Sequence, residues 1–598
     1  MIYQDLVLIG GGHVHALVIK MWAMQPVAGV RLTLISPQVQ TPYSGMLPGL
    51  IAGHYDFDEA HIDLVNLCQY AGVRFIQASV ERIDLQKKEI SLAINYEPLK
   101  QAQRPPISFD LLSINSGITP DLTIPGALKY ATAVKPISDF HPRWMNTLKQ
   151  LEQATSDSSI SVIGGGAAGI ELILAMQHAI SKLDKLRIKV ALNLVFRGER
   201  LGANFPSSLQ EKITQTLEAK NISCHSRSEV LSVKKNEIIF INDKPPLHSE
   251  HIFLCTHAKA APWPKHSGLA TDQNGFIAIT DTLQSTSHDF VFAVGDIAQQ
   301  VNHPRPHAGV FAVRQGPALY QNLKQKLLGE KLRQHIPQKH FLSLLACGDQ
   351  YALGYRGFWP PLSGRWVWRW KDRIDRRFMA MFSELTENSM TKNNASEVIN
   401  PAISGDETPK DLSVLAMRCG GCGAKVGATT LSRVINQLKP VKRDDVVLGL
   451  DSPDDAAAIR INAENMPGKE QLLIQSVDVF RAFIDEPYLL GQIAAEHALS
   501  DLFAMNATPQ SAMAIVTLPF AGEKITERDL LQLMSGALNV FNKNNCELTG
   551  GHTSEGAELS IGFSVNGLAH EDDLLKKSSL ATHQALILTK PLGTGTLF

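Results

Sequence analysis

The feature that most constrains this chain is a glycine spacing that occurs twice. Ile160-Ser161-Val162-Ile163 is a short apolar run, Gly164, Gly166 and Gly169 follow in full G-x-G-x-x-G spacing, and Ile170-Glu171 then opens a helical pattern. A strand, a tight glycine turn and a helix start in that order let backbone approach a pyrophosphate and turn the helix's free N–H groups toward it. Nearer the start, Leu6-Val7-Leu8-Ile9 runs into Gly10, Gly11 and Gly12, with His15 where the third glycine of the spacing would fall. Alone, that first copy is also compatible with a plain glycine turn between core elements. Two copies of one device make a joint accident much harder to sustain. A third signal is the apolar run Phe290 to Val294 ending in Gly295-Asp296. An aspartate at the carboxyl end of a strand can accept hydrogen bonds from sugar hydroxyls.

A length of 598 residues exceeds what one hydrophobic core organises, so several domains are expected. With 19% charged residues and a formal net charge of -1, nothing suggests a general attraction to nucleic acid. Seven scattered cysteines are too few for a disulfide framework, which points to a reducing, cytoplasmic setting. The apolar start Leu6 to Met24 lacks a basic leader and is broken by glycines and histidines, so it reads as folded structure. Nowhere is there an uninterrupted apolar run of about 18 residues, so no spanning helix is expected. The clear composition break is Leu385 to Leu412, rich in Asn, Ser, Thr, Glu and Pro, which is linker chemistry. On both sides of it β-rich runs alternate with helical patterns, the mark of α/β layers with mainly parallel sheets in front.

Within 364–384, Trp366, Trp370, Ile374 and Phe378 recur every four residues while Arg369, Arg373, Arg376 and Arg377 take other faces. Two readings stand for this basic amphipathic helix: packing on its own domain, or peripheral contact with the inner face of a membrane. In the second nucleotide unit, Leu194-Val195-Phe196 ends in Arg197 rather than an acid; Arg197 is either a surface arginine or a holder of a 2'-phosphate. Cys68 has no nearby partner, so disulfide reduction is not expected.

Behind the linker, Arg418-Cys419-Gly420-Gly421-Cys422-Gly423-Ala424-Lys425 puts two thiols and an amine on a glycine strip. One C-x-x-C supplies only two of the four ligands that zinc needs, and a reactive thiol beside a lysine is the better reading. Asp451, Asp454 and Asp455 crowd one turn, Asp478 follows an apolar strand, and Asp501 ends Ala498-Leu499-Ser500-Asp501. Several acids at strand and turn ends suit Mg2+, which takes oxygen ligands and bridges phosphates. Gly550-Gly551-His552 reads as a glycine turn that could hold an anion.

The front 380 or so residues resemble pyridine nucleotide-disulfide oxidoreductases with two dinucleotide domains, nearest the NADH dehydrogenase-like and sulfide-quinone reductase-like branch. The resemblance rests on both glycine turns, on Ser116-Gly117-Ile118-Thr119-Pro120 with Ile124-Pro125-Gly126, and on Gly295-Asp296. It implies that Gly10, Gly12 and Asp296 hold FAD, and that Gly164, Gly166 and Gly169 hold NAD(P)H, with hydride passing to an unidentified electron acceptor. From about Met417 onward the chain resembles selenophosphate synthetase (selenide, water dikinase). The match runs through Ser476 to Phe480, Asp485-Glu486-Pro487, Ala498 to Met505, Gly550-Gly551-His552 and Thr589-Lys590-Pro591-Leu592-Gly593. This implies selenophosphate made from selenide, ATP and water. Cys422 and Lys425 would be catalytic, Asp455 and Asp501 would be Mg2+ ligands, and Asp478, Gly550, Gly551 and His552 would contact ATP. His497 departs from that family's usual asparagine, and the chain ends at Phe598, before the family's second α/β domain.

The expected architecture is therefore α/β: two Rossmann-like domains followed by an ATP-binding domain of the aminoimidazole ribonucleotide synthetase-like N-terminal type. The expected bounds are 1–125 and 257–330 for the FAD domain, 126–256 for the NAD(P)H domain, 331–384 for the rest of the oxidoreductase, 385–412 for the linker and 413–598 for the synthetase domain. A bifunctional enzyme, dimerising through that last domain and with the front module supplying reduced selenium to it, is the leading expectation. The alternative is an NADH-quinone reductase-like flavoprotein carrying an inactive or regulatory synthetase half.

Overall fold

A computed structural model describes residues 2–93, 104–120, 122–135, 137–184, 186–203, 205–241, 244–255, 258–306, 309–357, 360–393, 446–448, 456–461, 471–579 and 581–589. The strands of the first nucleotide unit are β1 (Gln4–Ile9), β2 (Val30–Ser36), β3 (Arg74–Gln77) and β4 (Leu111–Ile114). The inserted unit contributes β5 (Thr132–Ala133), β6 (Ser158–Ile163), β7 (Val190–Val195), β8 (Ile222–His225) and β9 (His251–Leu254), after which the chain returns through β10 (Val291–Ala293). Two five-stranded sheets result, ordered β10-β4-β1-β2-β3 and β5-β9-β6-β7-β8. Their pairings are parallel throughout. Leu6, Val7, Leu8 and Ile9 are all buried, as a strand covered on both faces requires.

In both sheets the glycine turn leaves the central strand and enters a helix, α1 (His13–Met24) or α2 (Ala167–Ser181). Gly10 and Gly164 adopt φ of +92° and +139°. A Cβ on Gly10 would meet the Asn115 carbonyl oxygen at 2.4 Å, and one on Gly164 would meet that of Cys255 at 2.3 Å. Each turn thus presses against the exit of the neighbouring parallel strand, a contact only glycine permits. Gly169 packs as tightly, since a Cβ there would lie 2.0 Å from the Gly164 carbonyl oxygen.

His15 solves the same problem differently. It is wholly buried; its Nδ1 lies 2.7 Å from the Gly10 carbonyl oxygen and its Nε2 lies 2.9 Å from Ser113 Oγ. A carbonyl only accepts, so Nδ1 carries the proton and Nε2 accepts from Ser113. The missing third glycine is replaced by a ring that ties the turn to β4. Burial pushes the imidazole down to about 4, against a lesser opposing pull from Gly10.

Helix α3 (Gly309–Leu327) packs on α1, and α4 (Arg365–Asn393) closes the front part. On α4, Trp366, Trp370 and Ile374 are exposed, whereas Phe378 is buried and stacks on Tyr43 at 4.6 Å. The four-residue stripe is thus split between solvent and core. The helix also runs to Asn393, into the segment expected as linker, because no Gly or Pro interrupts the chain between Leu385 and Asn400. Among the described residues, no helix is long and apolar enough to cross a membrane.

Among the described residues, the back part forms a six-stranded sheet. Its strands are β11 (Val446–Leu448), β12 (Ala457–Ile461), β13 (Gln471–Arg481), β14 (Thr508–Pro519), β15 (Glu547–Gly556) and β16 (Ser560–His570), in the order β11-β12-β13-β16-β14-β15. Helices α5 (Pro487–Ala504) and α6 (Glu523–Lys543) cover one face through Leu472, Ile474, Ala512, Ala514, Ile561 and Phe563. The other face leaves Val477, Val479 and Met513 exposed.

The folded state binds a proton at His15 more weakly than the unfolded chain does, so acid favours unfolding. Its stabilisation is complete above about pH 6.5 and is lost toward pH 4. Replacing His15 by Ala is expected to cost about 3 kcal/mol and to lower flavin retention, while flattening this acid-side loss. Thermal melts and bound-flavin absorbance at pH 7.5 and 5 check it; unchanged melts would contradict it.

Candidate functional sites

Asn115 sits at the centre of the first nucleotide site. Its side chain is where a Cβ on Gly12 would fall, 2.5 Å from Nδ2, and where one on Gly295 would fall, 2.4 Å from Oδ1. That Nδ2 is buried without a hydrogen-bond partner. Gly295 turns at φ +69°, and its N–H donates to Gln315 Oε1 at 2.8 Å. Asp296 lies within the short turn Gly295–Ile297 and pairs with Lys135 Nζ at 3.2 Å across to the inserted unit. An orphaned buried donor framed by Gly10, Gly12 and Gly295, with a carboxylate alongside, fits the dinucleotide that the fold implies. At the second site a Cβ on Gly166 would meet nothing, so the turn opens outward there, at the start of α2. Arg197 is exposed two residues beyond the carboxyl end of β7.

Near the second glycine turn lies a polar cluster that local sequence did not announce. Glu171, in the second turn of α2, accepts from the Ala346 N–H at 2.8 Å. Burial pushes its carboxyl up to about 7, opposed less strongly by Lys371 and that N–H. Lys371 in turn donates to the Gly45 carbonyl and to Asp375 Oδ2, the latter at 2.7 Å. Burial also pushes the Cys255 thiol up to about 12, so it stays protonated. The available signal for Glu171 was a single acid inside the apolar run Ile170 to Met176.

In the back part, Asp478 and Asp501 are brought together. Ser476 donates to Asp501 Oδ2 at 2.6 Å, and Asp478 stands two residues along the same strand face, about 7 Å further on. His497 Nε2 lies 3.7 Å from Asp478 Oδ2 and its ring meets Phe480 edge-on. Gly550, Gly551 and His552 are not in a turn; they lie within edge strand β15, three strand spacings from β13, or about 14 Å. The pairing of Gly551 with Ala514 accounts for this, because a Cβ on Gly551 would strike Ala514 backbone at 2.2 Å. Glycines needed for close strand packing were indistinguishable, in sequence, from glycines of a loop. Cys422, Lys425 and Asp455 lie outside the described residues. Among the described residues no group of three or more His, Cys, Asp and Glu could hold a metal.

Two parallel sheets, each with a glycine turn and a helix at its carboxyl edge, define a two-dinucleotide flavoprotein fold. Residues 4–322, more than half the chain, match the family described as pyridine nucleotide-disulphide oxidoreductase, and the chain belongs to it. Residues 453–569 match the N-terminal domain of AIR synthase related proteins. In curated relatives that part is 39% identical over 175 residues to a selenide, water dikinase of Pelobacter propionicus, covering 29% of this chain and 48% of the relative. A selenide, water dikinase of Clostridioides difficile is 35% identical over 179 residues, covering 30% and 49%. The chain spans about half the length of the curated relatives it matches. In fold, it is similar to a sulfide:quinone oxidoreductase from Aquifex aeolicus, with a TM-score of 0.54 at 15% identity over 66% of this chain and 96% of that one. An NDH2 from Plasmodium falciparum gives 0.54 at 14% identity over 66% and 98%.

A carboxyl titrating near 7 can exchange protons at neutral pH. Because its folded pKa is raised, Glu171 contributes stability below about pH 4.5 that is lost as pH rises through 7. The Glu171→Gln variant should melt above the parent chain at pH 8 and with it at pH 4.5. Nicotinamide-oxidation rates should also lose an inflection near pH 7. Identical melting differences at both pH values would refute the buried-carboxyl assignment.

Proposed function

We propose that the chain is a bifunctional enzyme: an FAD-dependent NAD(P)H oxidoreductase that supplies reduced selenium to an attached selenide, water dikinase, which makes selenophosphate from selenide, ATP and water. The observation that carries the second half is the 39% identity to such a dikinase in a chain whose front part is an oxidoreductase. FAD, when bound, supplies a hydride acceptor that relays reducing equivalents onward. Gly10, Gly12, Asn115 and Asp296 would hold it, Gly164, Gly166 and Gly169 would receive NAD(P)H, and Glu171, on the helix after the second glycine turn, would exchange a proton near neutral pH.

In the synthetase part, Cys422 handles selenium as the nucleophile, and Lys425 favours its thiolate and contacts phosphate. Asp455 and Asp501 hold Mg2+, and Asp478, kept in place beside His497, orients ATP. Gly550, Gly551 and His552 contact the nucleotide from the edge strand, in our reading. The exposed Val477, Val479 and Met513 support pairing of two such sheets in a homodimer. The exposed Trp366, Trp370 and Ile374 support peripheral contact of the flavoprotein part with the cytoplasmic face of a membrane.

The test is 31P NMR of the chain with ATP, Mg2+ and selenide. Selenophosphate is expected from the parent and should fall at least a hundredfold with Cys422→Ser or Lys425→Ala. Equal signal from parent and variants, or none from a parent that retains ATP binding, would rule the reading out.

A further inference from the structure

Helix α6 of the synthetase part lies against the first nucleotide unit, and charge decides how. Asp529 accepts from Arg31 and from Arg74, the latter at 3.1 Å. Arg31 also donates to Asp5 at 2.7 Å. Asp5 accepts from Arg528 at 2.8 Å, and Arg528 reaches on to Asp110 at 3.1 Å. The six groups form one alternating row: Arg74, Asp529, Arg31, Asp5, Arg528, Asp110. Beside it, Arg104 pairs with Glu486, donates to Gln532 Oε1 at 3.1 Å and stands over the Tyr488 ring at 4.9 Å. Gln532 donates back to the carbonyls of Pro105 and Pro106 at 2.9 and 3.1 Å, and the Gly522 N–H donates to the Ile2 carbonyl at 2.8 Å.

These groups are largely removed from water: side-chain exposure is 4% for Asp5, 15% for Arg31, 16% for Arg74 and 17% for Asp529. Burial alone would raise the Asp529 carboxyl, yet Arg74 and Arg31 hold it below the ordinary range. Polarity crosses in both directions. Three arginines of the front part meet two acids of the back, while Arg528 of the back meets two acids of the front. Sliding or reversing the helix would set like charges together, and desolvated like charges cost several kcal/mol. Such a row is better at selecting one orientation than at adding net stability.

We infer that the α6 face and the amino-terminal edge of the β1-β2-β3 sheet form an autonomous docking surface, which holds the synthetase part on the flavoprotein in one orientation without help from the connecting segment. The docked edge bears Asp5, Arg31 and Arg74 at the starts of their strands, opposite the carboxyl ends where the glycine turns lie. The dock therefore positions the two parts and leaves both dinucleotide sites open. The inference rests on these contacts alone and stands whether or not the proposed activities hold.

A site for a specific protease, placed between residues 394 and 412 of the full chain, tests it. After cutting, the two pieces should still co-elute on gel filtration at ionic strength ~0.15 M. Asp529→Arg should weaken their association by about a hundredfold or more, and the triple variant with Arg31→Asp and Arg74→Asp should recover part of that loss. Lys543→Glu, at the far end of α6, serves as the control and should leave association unchanged. Separation of the parent pieces on cutting would overturn the inference, as would continued association of the Asp529→Arg pieces with undiminished affinity. Bound flavin and circular dichroism of the uncut variants distinguish loss of docking from loss of folding.

Discussion

The front half of this protein depends on one kind of contact: backbone against backbone at the carboxyl edge of a parallel sheet. Gly10 touches the Asn115 carbonyl and Gly164 touches that of Cys255, each at a distance no side chain would allow. From that contact follow the direction in which each helix leaves its strand, the exposure of its first N–H groups and the space above them. The inserted unit repeats the device, and the Lys135 to Asp296 pair connects the two.

Much of this was legible in sequence because it is local. Strand, glycine spacing and helix start occupy some fifteen consecutive residues, and Gly295-Asp296 closes a strand of only three residues. The synthetase part was legible for the same reason, since its motifs are short and ordered. What escaped depends on contacts between distant segments. His15 stands where a glycine belongs, and nothing nearby tells that Ser113 will receive its ring. Glu171 looks like any helix-opening acid until Lys371 and Asp375 arrive from another helix. Asp5 and Arg528, 523 positions apart, carry no mark of each other. The Gly550-Gly551 pair was misread because strand packing and loop turning both select glycine.

The two parts have different claims on function. In the flavoprotein part the candidate nucleotide sites consist of described residues, and a carboxyl poised near neutrality lies on the helix that follows the second glycine turn. In the synthetase part Asp478, Asp501 and His497 gather on one side of the sheet, while the proposed thiol and amine sit on the preceding glycine strip. In the proposed bifunctional enzyme, joining them would raise the effective concentration of one site's product at the other, and the charged row on α6 would keep that geometry constant.

The central claim is that reducing equivalents from NAD(P)H reach selenium that is then phosphorylated on the same chain. With elemental selenium as the donor, one NAD(P)H delivers the two electrons that yield one selenide, so nicotinamide consumed and selenophosphate formed should match one to one. Following both in a single anaerobic reaction with ATP and Mg2+ measures the claim directly. A ratio near one, lost together with Gly166→Val or Cys422→Ser, is the predicted result. Selenophosphate formed only from selenide added ready-made, with nicotinamide oxidised independently of it, would contradict the account.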